Sequence, residues 1–258
     1  MIRRRDFIAG LGGAVAWPLA ARAQQPAMPL IAFINGGAAN GAEEYATAFR
    51  NGLGEAGYVH GQNMTVEYHW LNGQYDGLPA LMADLVRRRV AVIATPGALR
   101  AALAAKAATA TVPIVFAIGD DPVKLGLVKS FARPGGNATG FNWLYAEVTT
   151  KRLGLLHELV PKAVRVAVLV NPANPTTAET TVHQVTEAAR PLGLQVQVIK
   201  ATTANEINAA FAALAGERPD AVFIATDAFF SSRRVQIANL GPDAKQPLHG
   251  GCWFGLIV

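Results

Sequence analysis

The sequence predicts an α/β fold of two lobes, each a parallel sheet covered by helices on both faces. Three observations predict it. Short apolar runs alternate with helix-spaced segments along most of the 258 residues. The predicted strands are apolar along their length, as sheets buried on both faces require. The alternation halts at a turn-rich passage near residue 140 and then starts again.

Residues 30–34 form an apolar run closed by Asn35-Gly36-Gly37 and read as a buried strand. Residues 42–56 follow with helical spacing, placing Tyr45, Phe49 and Leu53 on one face, and Gly57 ends them as a glycine just past a helix. Residues 64–70 alternate as a second strand. Residues 75–88 are a helix with Leu78, Leu81, Met82 and Leu85 inward. Residues 90–94 are a third strand, broken at Pro96-Gly97. Residues 98–109 are an alanine-rich helix, and 114–118 a fourth strand ending in Gly119-Asp120-Asp121-Pro122. Residues 133–140 read as turns.

The second round opens with a helix at 148–159 and a strand at 165–170, closed by Asn171-Pro172-Ala173-Asn174-Pro175. A helix at 177–192, a strand at 194–200 and a helix at 205–214 follow, the last capped by Thr203 or Asn205. A strand at 221–225 ends at Thr226-Asp227, and 231–240 is the final helix. The expected units are therefore a lobe at 24–145, a lobe at 146–240 and a divergent tail at 241–258.

Composition narrows the function. Hydrophobic residues make up 51% and charged ones 16%, too apolar for a disordered or coiled-coil chain. One cysteine excludes an intramolecular disulfide framework, and five scattered histidines offer no metal-ligand spacing. No metal or cofactor is expected. The first residues read as an address. Arg3, Arg4 and Arg5 precede an uncharged stretch at 7–21, and Ala21-Arg22-Ala23 is a cleavage site of the A-x-A type. Arg4-Arg5-Asp6-Phe7-Ile8 also resembles the twin-arginine export motif, so the Sec and twin-arginine routes both stand. Cleavage after Ala23 would remove four arginines and one aspartate, lowering the net charge from +5 to +2. The one dense basic run, Arg87-Arg88-Arg89, suits a helix C-terminus, and no basic stripe suggests nucleic acid.

In open parallel sheets, ligands bind beyond the carboxyl ends of the strands. That rule selects Asn35, Gly36, Gly37, Thr95, Pro96, Gly97, Asp120 and Asp121 in the first lobe, and Asn171, Asn174, Thr226 and Asp227 in the second. Glycine lets backbone N–H groups approach a ligand, and a helix start favours a carboxylate. Asp120, Asp121 or Asp227 would suit a ligand ammonium. Each of these residues also suits an ordinary turn or cap. Nucleophile elbows, zinc-protease motifs and phosphate-binding loops are absent from the sequence. Asn137-Ala138-Thr139 fits a glycosylation pattern but reads as a loop. For an aromatic ligand the available stacking side chains are Tyr45, Trp70, Trp143, Tyr145, Phe229 and Phe230, with Trp143 and Tyr145 the best placed.

Two blocks carry a resemblance. One runs from Gly119-Asp120-Asp121-Pro122-Val123 through Gly126-Leu127-Val128 to Arg133-Pro134-Gly135-Gly136-Asn137-Ala138-Thr139-Gly140. The other joins Lys151-Arg152-Leu153-Gly154-Leu155-Leu156-His157-Glu158-Leu159-Val160-Pro161 to residues 166–175. Together they resemble ABC-transporter substrate-binding proteins of the tryptophan/tyrosine-binding type, over roughly residues 28–240. The resemblance implies the periplasmic-binding-protein type I fold with two Rossmann-like lobes. It implies a monomeric periplasmic receptor that closes on a small solute, an aromatic or other amino acid, and presents it to an ABC permease in the inner membrane. An exported enzyme or a ligand-sensing module using the same cleft is the alternative. Past Leu240 the sequence departs from the family pattern. The expectation is a C-terminal truncation or frame shift that leaves the second lobe incomplete, with a strand missing and an apolar face uncovered.

Overall fold

The computed structural model describes residues 28–143, 145–241 and 256–257, with backbone only at 145–147 and 256–257. The expected signal segment at 1–23 and most of the divergent tail lie outside the described residues. No described helix is long and apolar enough to cross a membrane.

The first sheet has five parallel strands in the order β2-β1-β3-β4-β5. They are β1 (Leu30–Asn35), β2 (Thr65–Trp70), β3 (Val92–Pro96), β4 (Ile114–Ile118) and β5 (Ala138–Asn142). Between them lie α1 (Ala39–Glu55), α2 (Leu78–Arg87) and α3 (Leu99–Ala108). Helices α2 and α3 cover one face, where Ile34, Met82, Leu85, Ile93, Ala102 and Ile114 are buried together. Helix α1 covers part of the other, with Phe49 and Leu53 packed on Phe33, Tyr68 and Trp70. At 5.6 Å between ring centroids, Trp70 belongs to that core cluster.

The second sheet is parallel in the order β7-β6-β8-β9, from β6 (Arg165–Val170), β7 (Gln195–Lys200), β8 (Ala221–Ile224) and the two-residue β9 (Leu256–Ile257). Its helices are α4 (Tyr145–Leu159), α5 (Pro175–Ala189), α6 (Ala204–Glu217), α7 (Ala228–Ser232) and α8 (Arg234–Leu240). The central strands β6 and β8 are buried on both faces, which is why they read as unbroken apolar runs. Thr203 caps α6 by accepting from Glu206 N at 3.2 Å, one of the two expected caps.

Several local readings change. Residues 133–140 are not all turn, because β5 begins at Ala138 and pairs with β4 from Ile114↔Ala138 onward. Asn137 is a structural staple: its Nδ2 donates to Thr109 O (3.0 Å) and Val112 O (2.8 Å), and its Oδ1 accepts from Lys106 Nζ. The single helix expected at 231–240 is two helices, broken at Arg233. The first starts at Ala228 because Asp227 caps it. Tyr75 lies in the turn before α2, and its buried hydroxyl abuts Gly36. The second sheet, read with three strands, gains β9 beside β8. It remains a strand shorter than the first among the described residues. Among the described residues exposed apolar side chains occur on both lobes, Val115 (β4) and Phe141 (β5) on the first and Leu155, Leu159 (α4) and Val235 (α8) on the second.

Close packing of β5 on β4 sets up a stability prediction. A Cβ on Gly140 would sit 2.1 Å from Phe116 O, with the Phe116 ring behind it. Gly140→Ala must push the edge strand away, at about 1–3 kcal/mol for such overpacking. A thermal melt should show a transition several degrees lower; an unchanged midpoint would contradict the packing described.

Candidate functional site

The first lobe's strand ends are cross-linked before any ligand is considered. Asn35, at the end of β1, donates from Nδ2 to Pro96 O (2.8 Å) at the end of β3, and its Oδ1 accepts from Gly37 N (2.8 Å). Gly97 turns with φ +69° so that α3 can begin. Asp121 caps the next turn, accepting from Val123 N at 2.8 Å. Its neighbour Asp120 instead accepts a hydrogen bond from Thr177 Oγ1 of the second lobe at 2.8 Å. Burial holds the Asp120 carboxyl above its usual range, and the Thr177 hydroxyl partly offsets this.

In the second lobe Asp227 is the centre. It accepts from Asn171 Nδ2 (3.2 Å), Asn174 Nδ2 (3.3 Å) and Phe229 N (2.9 Å). It is buried, and desolvation raises its pKa despite those donors. Tyr75 is buried too, and its phenol is pushed up by burial and then by the Asp227 charge, with Arg100 opposing. Arg152 positions the adjacent Thr226, donating to Thr226 Oγ1 (2.9 Å) and Ile224 O (3.1 Å).

The lobes are joined by side chains aimed at backbone. Arg100 donates to Ala173 O (2.6 Å), Arg234 to Gly41 O (2.8 Å), and Ala38 N to Ser232 Oγ (3.0 Å). Arg233 adds a bond to Asn72 Oδ1 (2.9 Å). The approach is tight. A Cβ on Gly37 would lie 2.9 Å from Ala228 O, and one on Gly41 only 1.9 Å from Ser232 O.

Between the lobes lies a cavity of about 240 Å³. The strand-end residues Asn35, Pro96, Gly97, Asp120, Asn174, Thr226 and Asp227 line it, as does Trp143. Gly36, Gly37, Thr95, Asp121 and Asn171 do not. Gly36 and Gly37 form the contact between lobes, Thr95 is buried in the sheet, Asp121 is a cap, and Asn171 orients Asp227. Of the aromatic candidates, Tyr45 and Trp143 reach the cavity, whereas Phe229 and Phe230 are buried in the second core and the half-buried Trp70 packs against the first. The Tyr145 side chain lies outside the described residues.

Sequence reasoning missed one wall. Thr149 from α4 and Thr177, Thr180, Thr181 and Gln184 from α5 line the same cavity. The spacing 177, 181, 184 marks one helix face, but a polar face reads as solvent-exposed until a partner is known to cover it. The lining carries two carboxyls and no lysine or arginine among the described residues. Helices α3 and α5 start at this cavity, beside Gly97 and Asn174, without a side-chain cap, leaving backbone N–H groups for an anionic group. No described cluster of three or more His, Cys, Asp or Glu side chains is arranged to hold a metal ion.

The family model for ABC transporter substrate binding proteins matches residues 29–252. A tyrosine-binding protein of Clostridioides difficile (strain R20291) is 27% identical over 203 residues, covering 78% of this chain. The chain spans 56% of that relative's length. An ABC domain from Streptococcus pneumoniae, solved in complex with L-Trp, superposes with a TM-score of 0.67 at 21% identity, over 85% of this chain and 72% of that one. A conserved domain protein from Vibrio cholerae gives 0.68 at 22% identity, over 83% and 72%. A solute binding protein from Rhodopseudomonas palustris BisB5, in complex with 3,4-dihydroxybenzoic acid, gives 0.57 at 20% identity, over 82% and 57%. These likenesses show the fold, a two-lobed periplasmic-binding-protein type I architecture.

Proposed function

The chain belongs to the ABC transporter substrate binding protein family, and we propose that it is a receptor for a small solute, an aromatic or other amino acid, on which its lobes close. The family is one of binding proteins, and the reading gives no residue a catalytic role. One observation carries it: a cavity walled by both lobes that offers one buried carboxyl (Asp227) and one half-buried (Asp120), uncapped helix starts and, among the described residues, no cationic side chain. An α-amino acid is complementary to that set. Its ammonium suits Asp227 and Asp120, and its carboxylate suits the helix starts at Gly97 and Asn174. Tyr45, Trp143, Leu99 and Ile118 offer aromatic and apolar surface for the side chain. The relatives solved or named with tyrosine, L-Trp and an aromatic acid support a planar side chain. The proposed setting is the periplasm, with residues 1–23 as the export signal and an ABC permease as the partner.

Isothermal titration with the L-amino acids tests the reading. Saturable binding without turnover, strongest for aromatic amino acids, is the expected result. Flat titrations with all of them would overturn it.

A pH dependence follows from the carboxyls. Both pKa values are raised above the ordinary 3.8, so the folded, ligand-free protein holds protons that the unfolded chain has released. Its stability therefore falls as pH rises from 3.8 through the raised values. A bound ammonium favours the carboxylates, so affinity falls as pH is lowered through the same window. Binding there should release protons, seen as a buffer-dependent heat. The same Kd and no proton release across that window would contradict the assignment.

A further inference from the structure

We infer that the first lobe carries a membrane-contact surface beside β5, fitted to the anionic phospholipid face of a bilayer and separate from the cavity. Its centre is Phe131, 62% exposed on the loop that leads into β5. A lone exposed apolar side chain is ordinary; what sets Phe131 apart is how it is held. Lys129 N donates to Pro134 O (2.9 Å), closing the loop at its base. Inside the loop Arg133 N donates to Ser130 Oγ (3.0 Å), and that hydroxyl donates to Arg133 O (3.2 Å). These bonds fix the loop with Phe131 at its rim. The residue borders a shallow hollow beside Thr139 and Gly140 of β5, yet more than half of it stays in solvent. Phe141 and Val115, both exposed, continue the apolar surface across β5 and β4.

The charges around this surface have one sign. Residues 122–143 contain no aspartate or glutamate. Lys129 and Arg133 flank Phe131, two residues away on either side, and both are exposed. Lys124 is exposed in the preceding turn, and Lys106 meets the far end of the loop, where its Nζ bonds Asn137 Oδ1 (3.1 Å). Among the described residues none of these four cations pairs with a carboxylate. The two nearest carboxylates in the sequence are engaged elsewhere, Asp121 as a cap and Asp120 with Thr177 of the second lobe. An apolar side chain ringed by unpaired cations matches the boundary of an anionic bilayer: the ring enters the interface while the cations stay at the phosphates. Each cation near such a surface adds about fivefold to partitioning. A loop already held in shape loses little freedom on contact. None of Lys106, Lys124, Lys129, Phe131 and Arg133 lines the cavity, so contact with lipid leaves it free for solute.

The test is co-sedimentation of the exported form, from Gln24 onward, with sucrose-loaded vesicles at low ionic strength. One set is phosphatidylcholine alone; the other is phosphatidylcholine and phosphatidylglycerol in equal parts. Wild type should bind the phosphatidylglycerol vesicles and leave the phosphatidylcholine vesicles bare, with binding falling as salt rises. The double variant Lys129→Gln, Arg133→Gln should lose about 20-fold in partitioning, and Phe131→Ser about tenfold. All three side chains are exposed, so each variant should melt at the wild-type midpoint, and loss of structure is thereby separated from loss of contact. No sedimentation with phosphatidylglycerol, the result if the surface instead meets an acidic protein, overturns the inference. Equal binding to both vesicle types, or variants that bind like wild type, overturns it too. None of these outcomes depends on which solute the cavity takes.

Discussion

Asp227→Asn is expected to weaken amino-acid binding by about 100-fold or more, the largest single effect in the protein. The carboxylate is buried, accepts three hydrogen bonds and lines the cavity. Removing one charge of a buried, hydrogen-bonded pair costs about 2–5 kcal/mol in comparable interfaces. Asparagine keeps the size and one acceptor, so the Phe229 cap on α7 can survive. The Asn171 and Asn174 amides then compete for what is left. A modest fall in melting temperature should therefore accompany a large rise in Kd. Asp227→Ala should do worse on both counts, because the cap is lost as well, at about 0.5–2 kcal/mol. Binding by Asp227→Asn within threefold of wild type would show that Asp227 is a structural cap alone.

The second large effect is expected at Gly41, and it separates folding from closure. Gly41 lies in the first turn of α1, with no requirement for a left-handed backbone. Alanine there should favour the helix by about 1 kcal/mol. Its Cβ would nevertheless sit 1.9 Å from Ser232 O, across the gap between lobes. Gly41→Ala should hold the first lobe as well as wild type or better, while the closed form is forced apart. Overpacking of this kind costs about 1–3 kcal/mol, or roughly 5- to 150-fold in Kd. Small-angle scattering should show the ligand-induced fall in radius of gyration reduced or absent at ligand concentrations that close the wild type. A variant that compacts with ligand like wild type would mean the contact at Ser232 yields freely.

Most of the fold was legible because the strands are buried on both faces. Residues 165–170 and 221–225 could hardly be read otherwise, and the structure places β6 and β8 there. β5 was not legible. Ala138–Asn142 holds a glycine and an asparagine, and its outward positions Thr139 and Phe141 have nothing over them, so no burial pattern marks it. It is a strand because β4 is beside it. The site divides the same way. Strand ends are fixed by topology, so the sequence pointed to Asn35, Gly97, Asp120, Asn174 and Asp227, which line the cavity. The wall formed by Thr149, Thr181 and Gln184 depends on packing between α4 and α5, which helical periodicity alone does not reveal. Tyr45 shows the converse: its spacing with Phe49 and Leu53 suggests a core face, yet it borders the cavity.

The way the lobes are held has a consequence for ionic strength. The guanidinium groups of Arg100, Arg233 and Arg234 reach across the gap to two peptide carbonyls and an asparagine oxygen. Among the described residues one opposite-charge pair crosses as well, Arg234 with Glu44 at 3.2 Å, and both members are solvent-exposed. Mobile ions weaken attraction between exposed full charges, with a screening length of about 8 Å at physiological salt. They act far less on a short bond to a neutral dipole. Added salt should therefore leave the hold between the lobes nearly unchanged, because most of it rests on bonds from guanidinium groups to neutral dipoles rather than on exposed charge pairs.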